Sequence, residues 1–331
     1  MRRMSPDQAN VNDERLAAAA SWLASEVGIE QNELVPVAGD ASFRRYFRVI
    51  SAAGSWILMD APPEIESVDS FVLVDSLLRD AGLHAPEIIS LDHELGFVLL
   101  EDLGDELYRG LVNNDSADEV FAEAFKALIA MATRVDSSQL PPYDRGPLTE
   151  ELELFPDWWL DRHHGIELSC SQHDTWEATC TLLLASAAKQ PQVFVHRDFH
   201  SCNLLRTRHN SPGIIDFQDA LHGPLSYDLV SLLWDRYITW PRARMEGWIE
   251  QFRQQLGIHV SSEDWLQYCD WMSLQRNLKV VGIFARLTYR DNKQGYMEMI
   301  PRFWSYVTDT CERYGEFSDF RALLEDLRCA P

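Results

Sequence analysis

The stretch VFVHRDFHSCNLLRTRHNSPGIIDFQDA, residues 193–220, decides how this chain is read. Val193 to Val195 is a short β-rich run, and His196-Arg197-Asp198 turns out of it into a loop closed by Asn203. Leu204-Leu205 and Gly213-Ile214-Ile215 then read as two short strands joined by the polar turn Arg208-His209-Asn210-Ser211-Pro212. A hairpin of that kind returns Asp216 towards Asn203. The segment therefore gathers an aspartate, an asparagine and a second aspartate in one small region.

Those residue types suit phosphoryl transfer, which asks a protein to position an acceptor oxygen in line and to hold cations on the phosphates. Asp198 is the candidate proton acceptor for the attacking hydroxyl. Asn203 and Asp216 are hard oxygen ligands of the kind Mg²⁺ takes together with phosphate oxygens and water. The pattern H-x-D-x-x-x-x-N alone occurs by chance in many chains, and a lone Asp in a loop is commonly a turn-former or cap. Here an apolar run precedes it, a hairpin follows it, and Ile215-Asp216-Phe217 completes it. His196 reads equally as a packed scaffold residue bonded to the loop backbone or as a group that touches substrate.

His196-Arg197-Asp198-Phe199-His200-Ser201-Cys202-Asn203 resembles the H-x-D-x-H-x-x-N loop of the aminoglycoside phosphotransferase and choline kinase group. Ile215-Asp216-Phe217 is similar to that group's metal-binding strand, and Gly223-Pro224-Leu225-Ser226-Tyr227-Asp228-Leu229 to its G-x-x-x-x-D-L segment. The resemblance implies an α+β, two-lobed protein-kinase-like fold, with a small β-rich N-lobe over residues 1–103 and a larger, mainly helical C-lobe over 104–331. It also implies ATP and Mg²⁺ as cofactors, structural roles for His196 and for Asp228, which would brace the catalytic loop, and a place for His200 beside the substrate.

Ahead of these motifs, residues 13–27 form an alanine-rich amphipathic helix with Asp13 as a possible N-cap. Residues 33–37, 45–50 and 55–59 read as three strands, the first two flanking the turn Ala38-Gly39-Asp40-Ala41-Ser42. Backbone N–H groups of that turn, Ser42 included, are candidates to cover phosphates, although an ordinary hairpin looks the same. Kinase-like enzymes carry a Lys on the third strand that pairs with the nucleotide phosphates and with a Glu on the next helix. Trp56-Ile57-Leu58-Met59-Asp60 has none, and the following helix, residues 68–81, offers Asp69 and Asp75 but no Glu. Arg44 and Arg45 are candidates to replace that Lys, or else are strand arginines facing solvent. Phe97 to Leu100 is an apolar strand entering Glu101-Asp102-Leu103-Gly104, where a hinge would offer the backbone of Glu101 and Leu103 to adenine.

The stretches Gly39 to Val49, Ile57 to Glu64 and Gln275 to Gly282 together resemble one subgroup, the bacterial anomeric kinases of N-acetylmuramic acid and N-acetylglucosamine in cell-wall sugar recycling. Within that resemblance the missing Lys is a shared trait, and the substrate is a small amino sugar.

The remainder reads as helices: residues 117–135, then 174–189 capped by Asp174, and a stretch over 274–290. Arg276 and Lys279 fall on one side of the last and are candidates to receive a lactyl carboxylate or sugar oxygens, a surface ion pair being the alternative. Trp158, Trp159 and Trp234 either pack or line a sugar pocket.

Composition bounds these readings. The chain has 331 residues, 46% hydrophobic and 24% charged, with a formal charge of -23 at pH 7. Length suits two lobes and a cleft. The acidity argues against nucleic acid and anionic membranes as partners; it would serve solubility or attract a cationic substrate. No apolar run approaches membrane-spanning length, Met1 to Pro6 lacks the apolar segment of a secretory signal, and the six cysteines include no C-x-x-C pair, which together point to the cytoplasm. The rival functions are an aminoglycoside- or choline-type phosphotransferase and a non-catalytic kinase-like nucleotide-binding protein.

Overall fold

The computed structural model describes residues 6–30, 33–37 and 44–331. Helix α1 (Pro6–Ser25) precedes β1 (Glu33–Pro36), β2 (Arg45–Ser51), β3 (Gly54–Asp60), α2 (Asp69–Asp80), β4 (Ile88–Asp92) and β5 (Phe97–Glu101). The strands form one antiparallel sheet in the order β1-β2-β3-β5-β4. Side chains alternate across it: Leu58, Phe97 and Leu99 pack with Ala19, Trp22 and Leu23 of α1, while Met59, Val98 and Leu100 pack with Phe71, Val74 and Leu78 of α2. Covering both faces is why Ile57-Leu58-Met59 and Phe97-Val98-Leu99-Leu100 are continuously apolar, since neither face of these central strands meets water. Each such large side chain contributes roughly 1.5–3 kcal/mol by its burial.

Beyond the sheet come α3 (Tyr108–Leu111), α4 (Ala117–Arg134), α5 (Arg145–Leu154), which continues into a π-helical stretch (Phe155–His163), and α6 (Cys170–Lys189). Four short strands follow: β6 (Gln192–Val195), β7 (Leu204–Leu205), β8 (Gly213–Ile214) and β9 (Leu221–Pro224). They pair as two antiparallel ribbons, β6 with β9 and β7 with β8. Helices α7 (Tyr227–Leu233), α8 (Arg242–Leu256), α9 (Ser262–Tyr289), α10 (Ile300–Arg313) and α11 (Ser318–Leu327) complete the C-lobe. The two lobes share one core through α2, whose Phe71 ring lies 4.9 Å from that of Phe217.

Helix α9 organises the C-lobe. Its 28 residues span about 42 Å, burying Trp265, Leu274, Leu278, Val281 and Ala285. At Gly282 a Cβ would sit 2.3 Å from the Leu154 carbonyl oxygen, so only glycine admits the end of α5 at this distance. That close approach, one turn beyond Glu151 and Lys279, brings their side chains together.

Several elements differ from the expectations above. Helix α1 starts at Pro6, which puts Asp13 inside the helix rather than at its cap. Asp174 likewise lies within α6: Ser169 caps it, in a reciprocal box with Gln172 that satisfies two N-terminal backbone groups a turn earlier. Strand β4, five residues, escaped the pattern because it sits at the sheet edge with mixed exposure and a break in register between Ile88 and Ser90. The predicted helix over 274–290 is the C-terminal half of α9. No helix among the described residues is long and apolar enough to cross a membrane.

Candidate active site

The loop between β6 and β7 is held from below by one carboxylate. Asp228, near the start of α7, accepts the backbone N–H of His196 at 2.6 Å and of Arg197 at 3.0 Å. His196, fully buried, uses both ring nitrogens inside the loop: Nε2 donates to the Ile215 carbonyl at 3.0 Å, and Nδ1 accepts the Asp198 N–H at 3.3 Å. Arg197 adopts φ +75°, a left-handed conformation costing roughly 1–3 kcal/mol in a non-glycine residue. The Asp228 bond and an ion pair from its guanidinium to Glu151 at 2.6 Å offset that cost.

The β7–β8 hairpin closes the geometry. Leu204 pairs with Ile214, Leu205 with Gly213, and the Ile215 N–H donates to the Asn203 carbonyl at 3.1 Å. Asp216 then turns into the left-handed region, φ +64°, which sets its carboxylate beside Asn203. The Asn203 amide Nδ2 donates to the Asp198 carbonyl at 3.0 Å and to Asp216 Oδ2 at 3.3 Å, while Gln218 Nε2 donates to Asp216 Oδ1 at 3.0 Å. With its NH₂ so engaged, Asn203 has Oδ1 left to offer. One amide oxygen and one carboxylate are a donor set that fits Mg²⁺, which keeps waters and takes phosphate oxygens for its other positions. No cluster of three His, Cys, Asp or Glu able to hold a metal occurs among the described residues, so a closed protein cage is not what this site offers.

Above this floor opens a cleft of 660 Å³. Asp198 reaches solvent within it. Enclosure by the walls works to raise its pKa, but His200, Lys279, Arg276 and His196 outweigh that and hold the carboxyl below its usual range. Asp198 is therefore ionised at neutral pH, as a proton acceptor must be. His200 lines the same cleft; its Nδ1 accepts the Cys202 N–H at 3.3 Å, and burial pushes its imidazole pKa down.

One wall is a single face of α9, carrying Arg276, Lys279, Val280, Ile283, Arg286 and Leu287. Lys279 Nζ donates to Glu151 at 2.8 Å and to the Tyr227 hydroxyl at 3.0 Å. Glu151 is the hub: buried, it also receives Arg197, the Tyr143 hydroxyl and Gln275 Nε2. Burial would raise its pKa, but Lys279 and Arg197 hold it below the ordinary range. Arg276 contrasts with Lys279. It is 7% exposed, faces the cleft and makes no hydrogen bond or ion pair among the described residues.

Comparison with known proteins bears on this geometry. The profile of the phosphotransferase enzyme family matches residues 33–271, which include the whole catalytic loop and hairpin. The chain belongs to the phosphotransferase enzyme family. It is similar to an N-acetylmuramate/N-acetylglucosamine kinase of Pseudomonas aeruginosa, 43% identical over 89% of this chain and 88% of that one. A protein of the same description from Pseudomonas putida is 39% identical over 96% and 98%. Among solved structures, a choline/ethanolamine kinase family protein from Mesorhizobium loti matches with a TM-score of 0.65 at 14% identity, covering 94% and 99%. An ADP-bound aminoglycoside phosphotransferase matches at 0.61 and 14%, covering 91% and 99%. The fold is thus protein-kinase-like, and the chain is an ATP-dependent phosphotransferase.

Other expected residues of the phosphotransferase are distributed unevenly. Arg44 lines the cleft, paired with Glu66 of the β3–α2 connection. Arg45 is committed elsewhere: with Arg15 of α1 it neutralises Asp60, a carboxylate buried at the end of β3. Ser42 lies outside the described residues. At the hinge, the Glu101 N–H donates to the Glu87 carbonyl at 2.8 Å and its carboxylate faces His84, while Leu103 packs against Gly213. Trp234 is not brought to the cleft; it ends α7 within the core. Trp159 is buried too, its indole N–H donating to the Cys329 carbonyl at 2.9 Å. The residues not foreseen are Glu151, Gln218 and Arg286. Gln218 follows the Ile215-Asp216-Phe217 motif directly and was open to notice; Glu151, in an ordinary amphipathic helix, carries no local signal.

Proposed function

We propose that this phosphotransferase moves the terminal phosphoryl of ATP to the anomeric hydroxyl of N-acetylmuramic acid or N-acetylglucosamine, with Mg²⁺ held by Asn203 and Asp216. The observation that carries the reading is the ionised Asp198 carboxylate at the floor of a cleft whose acceptor wall is cationic. An anomeric hydroxyl is more acidic than other sugar hydroxyls, so a positioned carboxylate suffices to take its proton as the oxygen attacks phosphorus and ADP departs. A bound Mg²⁺ would neutralise charge on the phosphates. Arg276, beside Asp198, faces the sugar oxygens, and His200 completes the floor on the substrate side. Arg44 is the arginine that meets the nucleotide phosphates, since it lines the cleft with its partner Glu66, whereas Arg45 is held on Asp60 and is not among the cleft-lining residues. The relatives' descriptions support the choice of sugar.

A cationic acceptor such as an aminoglycoside or choline suits the wall poorly, because that wall carries Arg276 and Arg286, neither of which makes a hydrogen bond or ion pair among the described residues. ATP consumption measured against N-acetylmuramic acid, N-acetylglucosamine, kanamycin and choline should show turnover with the first two alone. Phosphorus NMR should then identify a sugar 1-phosphate, and the methyl glycosides should be inert. A 6-phosphate, or consumption of the glycosides, would remove the anomeric assignment and leave the kinase.

A further inference from the structure

Arg286 lies ten residues beyond Arg276 on α9, about 15 Å along the helix, lines the same cleft, and is the more exposed of the two. Its cleft-lining neighbours on the helix, Ile283, Phe284 and Leu287, are apolar, Tyr296 and Phe303 pack on the Phe284 ring, and the charged Arg290 and Asp291 follow at the helix end. Arg286 makes no hydrogen bond or ion pair among the described residues, and its Nε is shielded from solvent without a partner. Three other cations of the cleft are engaged, Arg44 with Glu66, Lys279 with Glu151, and Arg236 over the ring of Tyr237, while Arg276 is nearly buried at the Asp198 end. Leaving a half-buried guanidinium unpaired is costly unless a ligand completes it, and a planar fork of donors matches a carboxylate. Burial, reinforced by Arg290, pushes the Arg286 pKa down, and Asp291, which attracts the guanidinium without pairing with it, offsets only part of this.

We propose that Arg286 and its apolar surround form an outer subsite for a carboxylate carried on an arm of the acceptor sugar. This deepens the function proposed above and rests on it: of the two candidate sugars, N-acetylmuramic acid bears such an arm, the lactyl ether, and N-acetylglucosamine does not. Lys279 cannot serve equally, because Glu151 and the Tyr227 hydroxyl already occupy its ammonium. Arg276 stands at the inner end, within electrostatic reach of Asp198, and so beside the reacting oxygen rather than the arm. Side chains on a helix lean towards its N-terminus, which aims Arg286 inward along the wall, in the direction of Asp198. The methyl of the lactyl group would meet the apolar residues flanking the guanidinium.

The test is a substrate comparison within one protein. Arg286→Ala should raise the KM for N-acetylmuramic acid roughly 10- to 100-fold, the loss of one charge-assisted fork, and leave the KM for N-acetylglucosamine and for ATP within about 2-fold. Arg286→Lys should recover part of the loss, since it restores charge without the planar fork. N-acetylmuramic acid with its lactyl carboxylate converted to an amide should be a poor substrate of the native enzyme and no poorer for Arg286→Ala. Turnover of N-acetylglucosamine by the variant certifies its fold. Equal losses on both sugars, or none on either, overturn the subsite while the sugar kinase stands. If the native protein phosphorylates neither sugar, the functional reading fails and the subsite with it.

Discussion

The floor and the acceptor wall of the cleft handle charge in opposite ways. On the floor, Asp228 receives two backbone N–H groups, Asp216 two side-chain amides, and Arg197 the Glu151 carboxylate, so each group has its orientation fixed by protein donors and acceptors. On the wall, Arg276 and Arg286 line the same space and make no hydrogen bond or ion pair among the described residues. The difference separates two tasks. Groups that must sit at a set distance from a phosphoryl are preorganised, because misplacement costs rate; groups that select an acceptor are left for the acceptor to complete. Glu151 belongs to both regions, since it ties Arg197 of the floor to Lys279 of the wall.

The comparison breaks most severely at the base. Asp198→Asn retains shape and removes the proton acceptor, so kcat should fall ~10²–10⁴-fold with nucleotide binding little changed. Near-normal turnover in that variant would take Asp198 out of the mechanism. Glu151→Gln should come next: it leaves two partly buried cations without their counter-charge, a loss of at most about 3–5 kcal/mol, the cost when a fully buried pair is broken. Urea denaturation measures that loss, and a kcat reduced at least about 10-fold in protein that remains folded would mark the floor as dependent on it. A variant as stable as the native chain would show that the wall and the floor are not coupled through this residue. Gly282→Ala attacks the same junction by sterics alone. A Cβ driven towards the Leu154 carbonyl must move α9 or α5, which should cost about 1–3 kcal/mol as overpacking does. Thermal denaturation should register it as a lowered Tm, whereas an unchanged Tm would mean the helices can part freely.

The smallest effect concerns carboxyls that do and do not receive donors. Burial pushes Asp228 up to about 6 despite its two backbone donors, and pushes Asp75 of α2, whose Oδ1 has no partner, up to about 7. Both lie above the unfolded value of about 3.9. The folded chain therefore binds protons that the unfolded chain releases, and the stability they contribute is full below about pH 4 and lost as pH rises, by about 6 for Asp228 and about 7 for Asp75. Asp75→Asn should flatten the upper part of this slope. Denaturation curves between pH 4.5 and 8 should show the native chain losing stability relative to the variant as pH rises; parallel curves would mean that Asp75 is not held protonated. Activity is expected to run the other way below pH 6, because protonating Asp228 removes an acceptor from the loop that positions Asp198.

Much of this was legible along the chain, and the reason is distance in sequence. Asp198, Asn203 and Asp216 stand within one strand-loop-hairpin unit, so turn residues and short apolar runs suffice to bring them together, and Leu204-Leu205 and Gly213-Ile214 pair as their pattern indicates. The continuous apolar runs of β3 and β5 likewise announce strands covered on both faces. Other features depend on elements far apart in the chain. Arg44 and Arg45 are neighbours of one residue type, yet one faces the cleft and the other neutralises Asp60, a division set by which acidic group each strand position meets. Trp234 reads either as packing or as a sugar platform, and the tertiary structure decides for packing by burying it at the end of α7. Glu151 and Lys279 are separated by most of the C-lobe and meet only because Gly282 lets α5 close on α9. Local sequence thus determined which residues could do chemistry and the hairpin that gathers three of them. Tertiary packing alone decided which charges would be neutralised by protein and which would be left facing the cleft, because burial and partnership depend on the sum of distant contacts and leave no periodic trace in the chain.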